Sequence, residues 1–364
     1  MRVVHVGKYY PPEFSGGLES VVVGINDALV KRGVEVAVVV SAVRGKSRTD
    51  SWRGVDVIRV PAIATVMSQP LSPSFGRAVH EARGDLLHLH HPNPLGDAAV
   101  QGDRRPLVIT HHSDIVRQRA LRLLYGPLLR RTLQQARVVA IGSEQLLRSS
   151  EELRGFESKA RVIPFGIDTA RFAATPHVTN AAARLKAGWS GRPVILAVGR
   201  LVTYKGFDVL IDAARGLEAT VVIVGTGPEE EKLKGLAGPS VVFAGHVSDD
   251  ELIAYYHAAD IFCLPSVTRA EAFGMVLLEA MACGKPLVTT TLPTGVSAVN
   301  RDGVTGIAVP PRDMGALREA LSALLQDDVR RKAMGQAARA VQASEYTAEL
   351  MGERYAKLYE EVLG

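Results

Sequence analysis

The sequence predicts an α/β protein of two parallel-sheet domains in tandem. Three observations carry that reading: short apolar runs alternate with helical stretches, the alternation restarts near residue 190, and the composition is that of an ordinary globular chain. The 364 residues suit two domains of common size. With 47% apolar and 22% charged residues the chain is not disordered, and its 34 glycines lack the triplet period of collagen.

The first half opens on a strand over Val3–Val6, followed by a glycine-bearing loop from Gly7 to Gly17. A helix is expected from about Leu18 to Arg32, stopped by Gly33, with the next strand over Val34–Val40. The crossover of such a βαβ unit is right-handed, so its strands are parallel. Further strands are expected at Val55–Val60, Leu86–Leu89, Leu107–Thr110, Val138–Ile141 and Arg161–Ile163. The Ala-rich stretch Ala173–Gly191, with Pro176, Gly188 and Gly191, reads as a linker. A cleaner alternation then follows: strand Pro193–Val198, helix 206–216, strand 220–224, helix 228–236, strand 241–244, helix 249–258, strand 260–264, helix 274–283 and strand 286–289. Leu350, Tyr355, Leu358, Tyr359 and Val362 recur at helical spacing and predict a helix over Glu345–Leu363. These readings set the domains at 1–172 and 190–344. Two such domains imply a cleft, and ligands of these sheets bind beyond the carboxyl ends of the strands.

Charge is unevenly placed. Residues 1–172 hold 24 basic against 16 acidic side chains, a balance of +8, while the remainder stands at −3. A basic half suits an anionic partner: nucleic acid, a phosphorylated small molecule or an anionic membrane. Cys263 and Cys283 lack CxxC spacing and cannot form a disulfide framework, so a reducing, cytoplasmic setting is expected. No apolar run reaches the ~18 residues of a membrane span. The N-terminus, MRVVHVGKYYPP, lacks a signal-peptide pattern.

Several residue groups can carry chemistry. The first loop, GKYYPPEFSGG, is not GxGxxG, but Gly16 and Gly17 stand where a helix begins. Backbone N–H groups there can face an anion; a turn that needs small residues is the plainer reading. In GRLVTYKG, Arg200 and Lys205 follow a buried strand and lead into a helix. Two cations at that edge suit a pyrophosphate, against the common fate of solvated surface cations. In EAFGMVLLE, Glu271 falls in a loop and Glu279 in a helix, with Met275, Val276, Leu277 and Leu278 between them expected to be buried. A carboxylate beside such a run needs partners, and ligand hydroxyls are natural ones; a surface salt bridge is the alternative. Gly274 lets the backbone approach a ligand closely.

His88, His90, His91, His111 and His112 follow strands of the first half. Alternation along a strand sends neighbours to opposite faces, and no HExxH is present, so hydrogen bonding or core packing is favoured over a metal. Residues 116–133 hold Arg117, Arg119, Arg122, Arg130 and Arg131 with Leu121, Leu124, Leu128 and Leu129, and no acid. Such a stretch either lies on an anionic membrane, at ~1 kcal/mol per Arg, or is an ordinary helix with core-facing leucines. Nucleic acid is disfavoured, since aromatics are 5% and no binding module is evident.

Taken together, the KYYPP…SGG loop, GRLVTYKG, VIPFGID (162–168) and PSVTRAEAFGMVLLEAMACGKPLVTT (265–290) resemble, over essentially the whole chain, the retaining glycosyltransferases of family GT4 with the GT-B fold. That fold is two Rossmann-like domains facing across a cleft. The wording KYYPP, HHPNPL, THHSDIVRQ and LPTGVSAVNRDGVTG is most similar to bacterial enzymes of surface-polysaccharide synthesis, many of them mannosyltransferases. The resemblance implies an acceptor-binding first domain and a donor-binding second domain, with the last helix crossing back to the first. It implies a nucleotide-diphosphate sugar as donor, GDP-mannose by preference, a glycan or lipid-linked acceptor, and no metal or other cofactor. It implies a cytoplasmic enzyme, peripheral at the inner membrane face. Residue by residue, Gly16 and Gly17 would approach the donor phosphate, and His112, or its neighbour His111, the donor sugar. Arg200 and Lys205 would neutralise the departing diphosphate. Glu271 would hold sugar hydroxyls with Phe273, Gly274, Met275 and Val276 alongside, and Glu279 would hold the ribose. Domain closure would exclude water from the donor. The other readings are an epimerase or phosphorylase of the same architecture, a non-catalytic nucleotide-sugar binder and, weakest, an NAD-dependent oxidoreductase.

Overall fold

The computed structural model describes the chain except residues 14–15, 44, 67–68, 116–118 and 190; of 66 and 119–124 it describes the backbone alone. The chain divides into two compact units, Met1–Gly166 with Ala348–Gly364, and Ile167–Thr347.

The first unit is built on an eight-stranded sheet. Its strands are β1 (Arg2–Val6), β2 (Glu35–Ala42), β3 (Arg48–Trp52), β4 (Val55–Pro61), β7 (Leu86–His91), β8 (Leu107–His111), β9 (Val138–Ile141) and β10 (Ala160–Val162). A separate hairpin joins β5 (Ala64–Val66) and β6 (Gln69–Leu71). The order across the sheet is β10-β9-β8-β7-β1-β2-β4-β3. All neighbours are parallel except β3 against β4. β2 and β7 are buried along nearly their whole length, as strands covered on both faces must be. β3, RTDSW, is polar and closes the edge. Val6, Val39, Leu89, Ile109 and Leu133 form part of the core, each fully buried residue contributing about 1.5–3 kcal/mol.

The terminal helix, Ala348–Leu363, belongs to this unit. Gly352 lets it approach the helix Gly17–Val30: a Cβ there would meet Ala28 Cβ at 2.7 Å. The helix expected over Glu345–Leu363 is interrupted, because Glu345 ends the preceding helix Asp328–Glu345.

The second unit holds β11 (Val194–Val198), β12 (Thr220–Val224), β13 (Val241–Gly245), β14 (Ile261–Leu264), β15 (Leu287–Thr290) and β16 (Gly306–Val309). Their order is β13-β12-β11-β14-β15-β16, all parallel. Most of the stretch expected as a linker is a helix of this unit, Pro176–Gly188. Thr175 caps it by accepting from Val178 N, and Pro176 occupies the first turn, where its missing N–H costs nothing. Lys186 pairs with Asp260, whose carboxylate also accepts from Val194 N, which fixes the helix beside the sheet.

Candidate functional site

In the second unit the strand order reverses between β11 and β14, the place where doubly wound sheets open a crevice. Chain leaving β11 passes Gly199 and Arg200, makes a tight turn over Thr203–Lys205 and enters the helix Phe207–Ala213 through Gly206. Gly206 has φ +69°, and a Cβ on it would lie 2.2 Å from Pro265 O. Only glycine lets the loop after β11 close on the loop after β14.

That closure brings two predicted residues together. Lys205 Nζ lies 2.6 Å from Glu271 Oε2, with both side chains 10% exposed. Ser266 Oγ donates to the same oxygen at 2.9 Å, and the Thr290 hydroxyl donates to Ser266 O. Glu271 Oε1 has no hydrogen-bond partner among the described residues. Burial alone would lower the Lys205 ammonium, but Glu271, Tyr204 and Glu279 together hold it above its ordinary value. Arg200 is exposed and has no acidic partner among the described residues.

The loop after β14 ends at Gly274, φ +79°, which opens the helix Met275–Ala282. A Cβ at Gly274 would meet Leu277 Cδ1 at 2.9 Å and Leu264 Cδ2 at 3.0 Å. Phe273, Leu277 and Leu278 are buried. Met275 and Val276 were expected in the core but are only half-buried, because the helical period turns them from the sheet while Leu277 and Leu278 face it. Glu279 accepts from the hydroxyl of Tyr256 at 2.6 Å. Burial pushes its carboxyl up to about 7, against the pull of the Tyr256 hydrogen bond. Neither Ser266 nor Tyr256 was singled out in the sequence, since nothing local marks a serine or a helical tyrosine as a partner of a distant carboxylate.

Within the first unit the order reverses between β1 and β7. Gly16 is extended and caps the helix Gly17–Val30 without a side-chain bond, and among the described residues nothing lies within 4 Å of a Cβ built on Gly17. The loop before them is clamped from below. Arg59, wholly buried, donates to Tyr10 O at 2.9 Å and Pro11 O at 2.6 Å while its Nε reaches Asp50. Asn26 Nδ2 donates to the Tyr10 hydroxyl.

The histidines separate by face as alternation requires. His88 and His90 join His5, the residue level with His88 on β1. His88 Nε2 meets the Thr110 hydroxyl at 2.7 Å and Nδ1 the Tyr359 hydroxyl at 2.6 Å. His90 Nε2 meets His5 Nδ1 at 2.9 Å, and its Nδ1 meets His112 Nε2 at 3.1 Å. Although ligand atoms of His5, His88 and His90 lie within 4.8 Å of one another, every nitrogen of His88 and His90 is thus engaged within the protein. His91 pairs with Asp97 at 2.7 Å, and His111 with Asp114 at 3.0 Å. Burial opposes ionisation of Asp114, yet His111, Ser150 and the backbone of Glu151 hold it down at about 2. His112 is 6% exposed and stacks on Phe165. His111 is fully buried, which leaves His112 as the histidine of the two with surface to offer. His5 was not anticipated, because its neighbours come from other strands.

Of the basic stretch, residues 116–118, Arg117 among them, lie outside the described residues, and Arg119, Leu121, Arg122 and Leu124 are described as helix backbone only. Leu129 and Leu133 are in the core, whereas Arg130 and Arg131 are exposed. Among the described residues no helix is long and apolar enough to cross a membrane.

Two doubly wound units, one with a buried cation–carboxylate pair at its switch point, are the architecture of the GT-B class of glycosyltransferases. The family model "Glycosyl transferases group 1" matches residues 182–341, and "Glycosyltransferase Family 4" matches residues 15–171. O-antigen chain mannosyltransferase C of Escherichia coli is 31% identical over 100% of this chain and 99% of its own. D-rhamnosyltransferase WbpZ of Pseudomonas aeruginosa is 33% identical over 96% and 93%. Sucrose-phosphate synthase of Thermosynechococcus elongatus superposes with a TM-score of 0.84 over 99% of this chain and 98% of that one, at 23% identity, a likeness of fold. The chain belongs to the family 4 glycosyltransferases, and it is a glycosyltransferase.

Proposed function

We propose that this enzyme transfers a mannose-like hexose from a nucleoside-diphosphate sugar, GDP-mannose in the first instance, to a glycan or lipid-linked acceptor of a bacterial surface polysaccharide. The transfer retains anomeric configuration and uses no metal. The observation that carries the reading is the Lys205–Glu271 pair at the switch point of the second unit, beside the N-terminus of the helix Met275–Ala282. The mannose-like sugar is supported by the activities that the names of the two relatives state.

In this reading the second unit, within 190–344, binds the donor and the first, within 1–172, the acceptor. Lys205 and exposed Arg200 neutralise the diphosphate as it departs, and the helix N-terminus adds its positive end. Glu271 holds sugar hydroxyls through Oε1, its other oxygen being fixed by Lys205 and Ser266. Phe273, Gly274, Met275 and Val276 line the donor, and Glu279 accepts from the ribose hydroxyls. Gly16 and Gly17 leave room beside the donor phosphate, and His112 meets the transferred sugar. The acceptor hydroxyl attacks C1 on the face that the phosphate leaves. The C1–O bond to phosphate breaks, the new glycosidic bond forms, and the acceptor proton passes to the departing phosphate oxygen. A nucleoside diphosphate is released and no separate base is required. The enzyme works at the cytoplasmic membrane face, held by the basic stretch 116–133.

Transfer assays with product anomers read by NMR test the reaction. Retention, with transfer lost in Lys205→Met and Glu271→Gln variants that still fold, supports it; inversion or near-normal turnover rejects it. Flotation with anionic liposomes tests that stretch, and unchanged binding after replacement of Arg117, Arg119 and Arg122 rejects its role.

A further inference from the structure

His5, His90 and His112 form one file of hydrogen-bonded imidazoles. His5 Nδ1 meets His90 Nε2 at 2.9 Å, and His90 Nδ1 meets His112 Nε2 at 3.1 Å. The three rings are 0%, 1% and 6% exposed, and come from β1, β7 and the residue just past β8. Burial keeps all three neutral, holding His5 and His112 down to about 3 and His90 well below its ordinary value.

Neutrality constrains the protons. A neutral imidazole has one N–H and one lone pair. Both nitrogens of His90 face ring nitrogens, so it donates to one neighbour and accepts from the other. The file therefore runs in a single direction. Either all three rings are protonated at Nδ1, or all three at Nε2. His5 Nε2 separates the two, because it is buried without a partner among the described residues. The second direction strands an N–H donor there, while the first leaves only a lone pair. Orphaned buried N–H groups are the rarer and costlier defect.

We infer that His90, backed by His5, is a positioning residue that locks His112 as the Nδ1–H tautomer, the minor form of a free imidazole. His112 Nδ1 has no partner among the described residues, so the lock presents a fixed hydrogen-bond donor to a ligand. That ligand is a hydroxyl oxygen of the transferred sugar, which rests on the reading of His112 given above. His88 does not share the lock: its nitrogens go to Thr110 and Tyr359.

Side-chain replacements at position 90 separate the lock from simple packing. The amide N–H of an Asn occupies the place of Nδ1 and still donates to His112. An ionised Asp carboxylate at the same place can only accept, so it draws the His112 proton to Nε2. ¹⁵N NMR of the histidine-labelled full chain reads the tautomer, with His112 assigned from the spectrum of His112→Ala. In the wild type and His90→Asn, His112 Nε2 carries no proton and Nδ1 does. In His90→Asp Nε2 carries the proton, and kcat/KM for transfer falls by roughly five- to tenfold, about the worth of one neutral hydrogen bond. His90→Asn keeps the test open should His90→Asp fail to fold. An Nε2–H form of His112 in the wild type or in His90→Asn, or an unprotonated Nε2 in His90→Asp, overturns the lock. Wild-type transfer by His112→Ala with the tautomer result intact instead overturns the sugar contact alone.

Discussion

Lys205 and Glu271 meet at 2.6 Å although they arrive on different loops, one after β11 and the other after β14. Both are nearly buried, so each is the main counter-charge of the other. Removing one partner of such a pair leaves an uncompensated charge and costs about 3–5 kcal/mol. Lys205→Met and Glu271→Gln should each lower the melting temperature. The double variant should recover most of that loss, because a neutral pair leaves no stranded charge. Transfer should stay about 100- to 1,000-fold down in all three, the scale of a lost transition-state contact. Melting curves and initial rates on the four proteins check this, and recovery of activity in the double variant would speak against a catalytic role.

Glu279 offers a prediction of opposite sign for stability and binding. Its carboxyl is pushed from 4.5 to about 7 by burial, with Tyr256 opposing. A carboxyl raised on folding binds its proton more tightly when folded. Stability therefore falls as pH rises from about 4.5 to about 7. Nucleotide affinity should rise over that same window, because the ionised form accepts both ribose hydroxyls. Glu279→Gln should flatten both trends, measured by denaturant titration and calorimetry from pH 5 to pH 8.

Gly206 and Gly216 share a left-handed backbone, φ +69° and +78°. Among the described residues nothing lies within 4 Å of a Cβ at Gly216, whereas at Gly206 a Cβ would sit 2.2 Å from Pro265 O. Gly216→Ala should cost only the backbone strain, roughly 1–2 kcal/mol. Gly206→Ala should cost clearly more and separate the two loops, with nucleotide affinity falling alongside the melting temperature.

Arg59 is the matching element of the first unit. Its guanidinium holds two carbonyls of the loop before Gly16, and a Lys cannot span the same partners. Arg59→Lys should lower stability by about 1–3 kcal/mol, since it leaves the carbonyls of Tyr10 and Pro11 poorly paired, while Asp50 keeps Arg48. Limited proteolysis should then cut within residues 7–16 sooner than in the wild type.

Most strands of both sheets were legible, because a strand covered on both faces is a continuous apolar run: Val194–Val198 and Thr220–Val224 read almost to the residue. What escaped lacked that signal. β3 is polar at an edge, and Gly306–Val309 lies among glycines and a threonine. The helix Pro176–Gly188 was masked by its alanines and its first-turn proline, which suit a helix start as well as a linker. At the site, Lys205 and Glu271 were marked by loops at strand ends. Ser266, Tyr256 and His5 act through neighbours that only the strand order supplies.

Nucleoside-diphosphate binding by wild type and Lys205→Met, followed as a melting shift with GDP, UDP and ADP, tests the central claim most directly. A ligand at 100 times its Kd adds about 2.7 kcal/mol. The account predicts a shift selective for one diphosphate, GDP first, which is lost in Lys205→Met. An equal shift in the variant, or none with any of the three, would contradict a diphosphate site at Lys205 and Glu271.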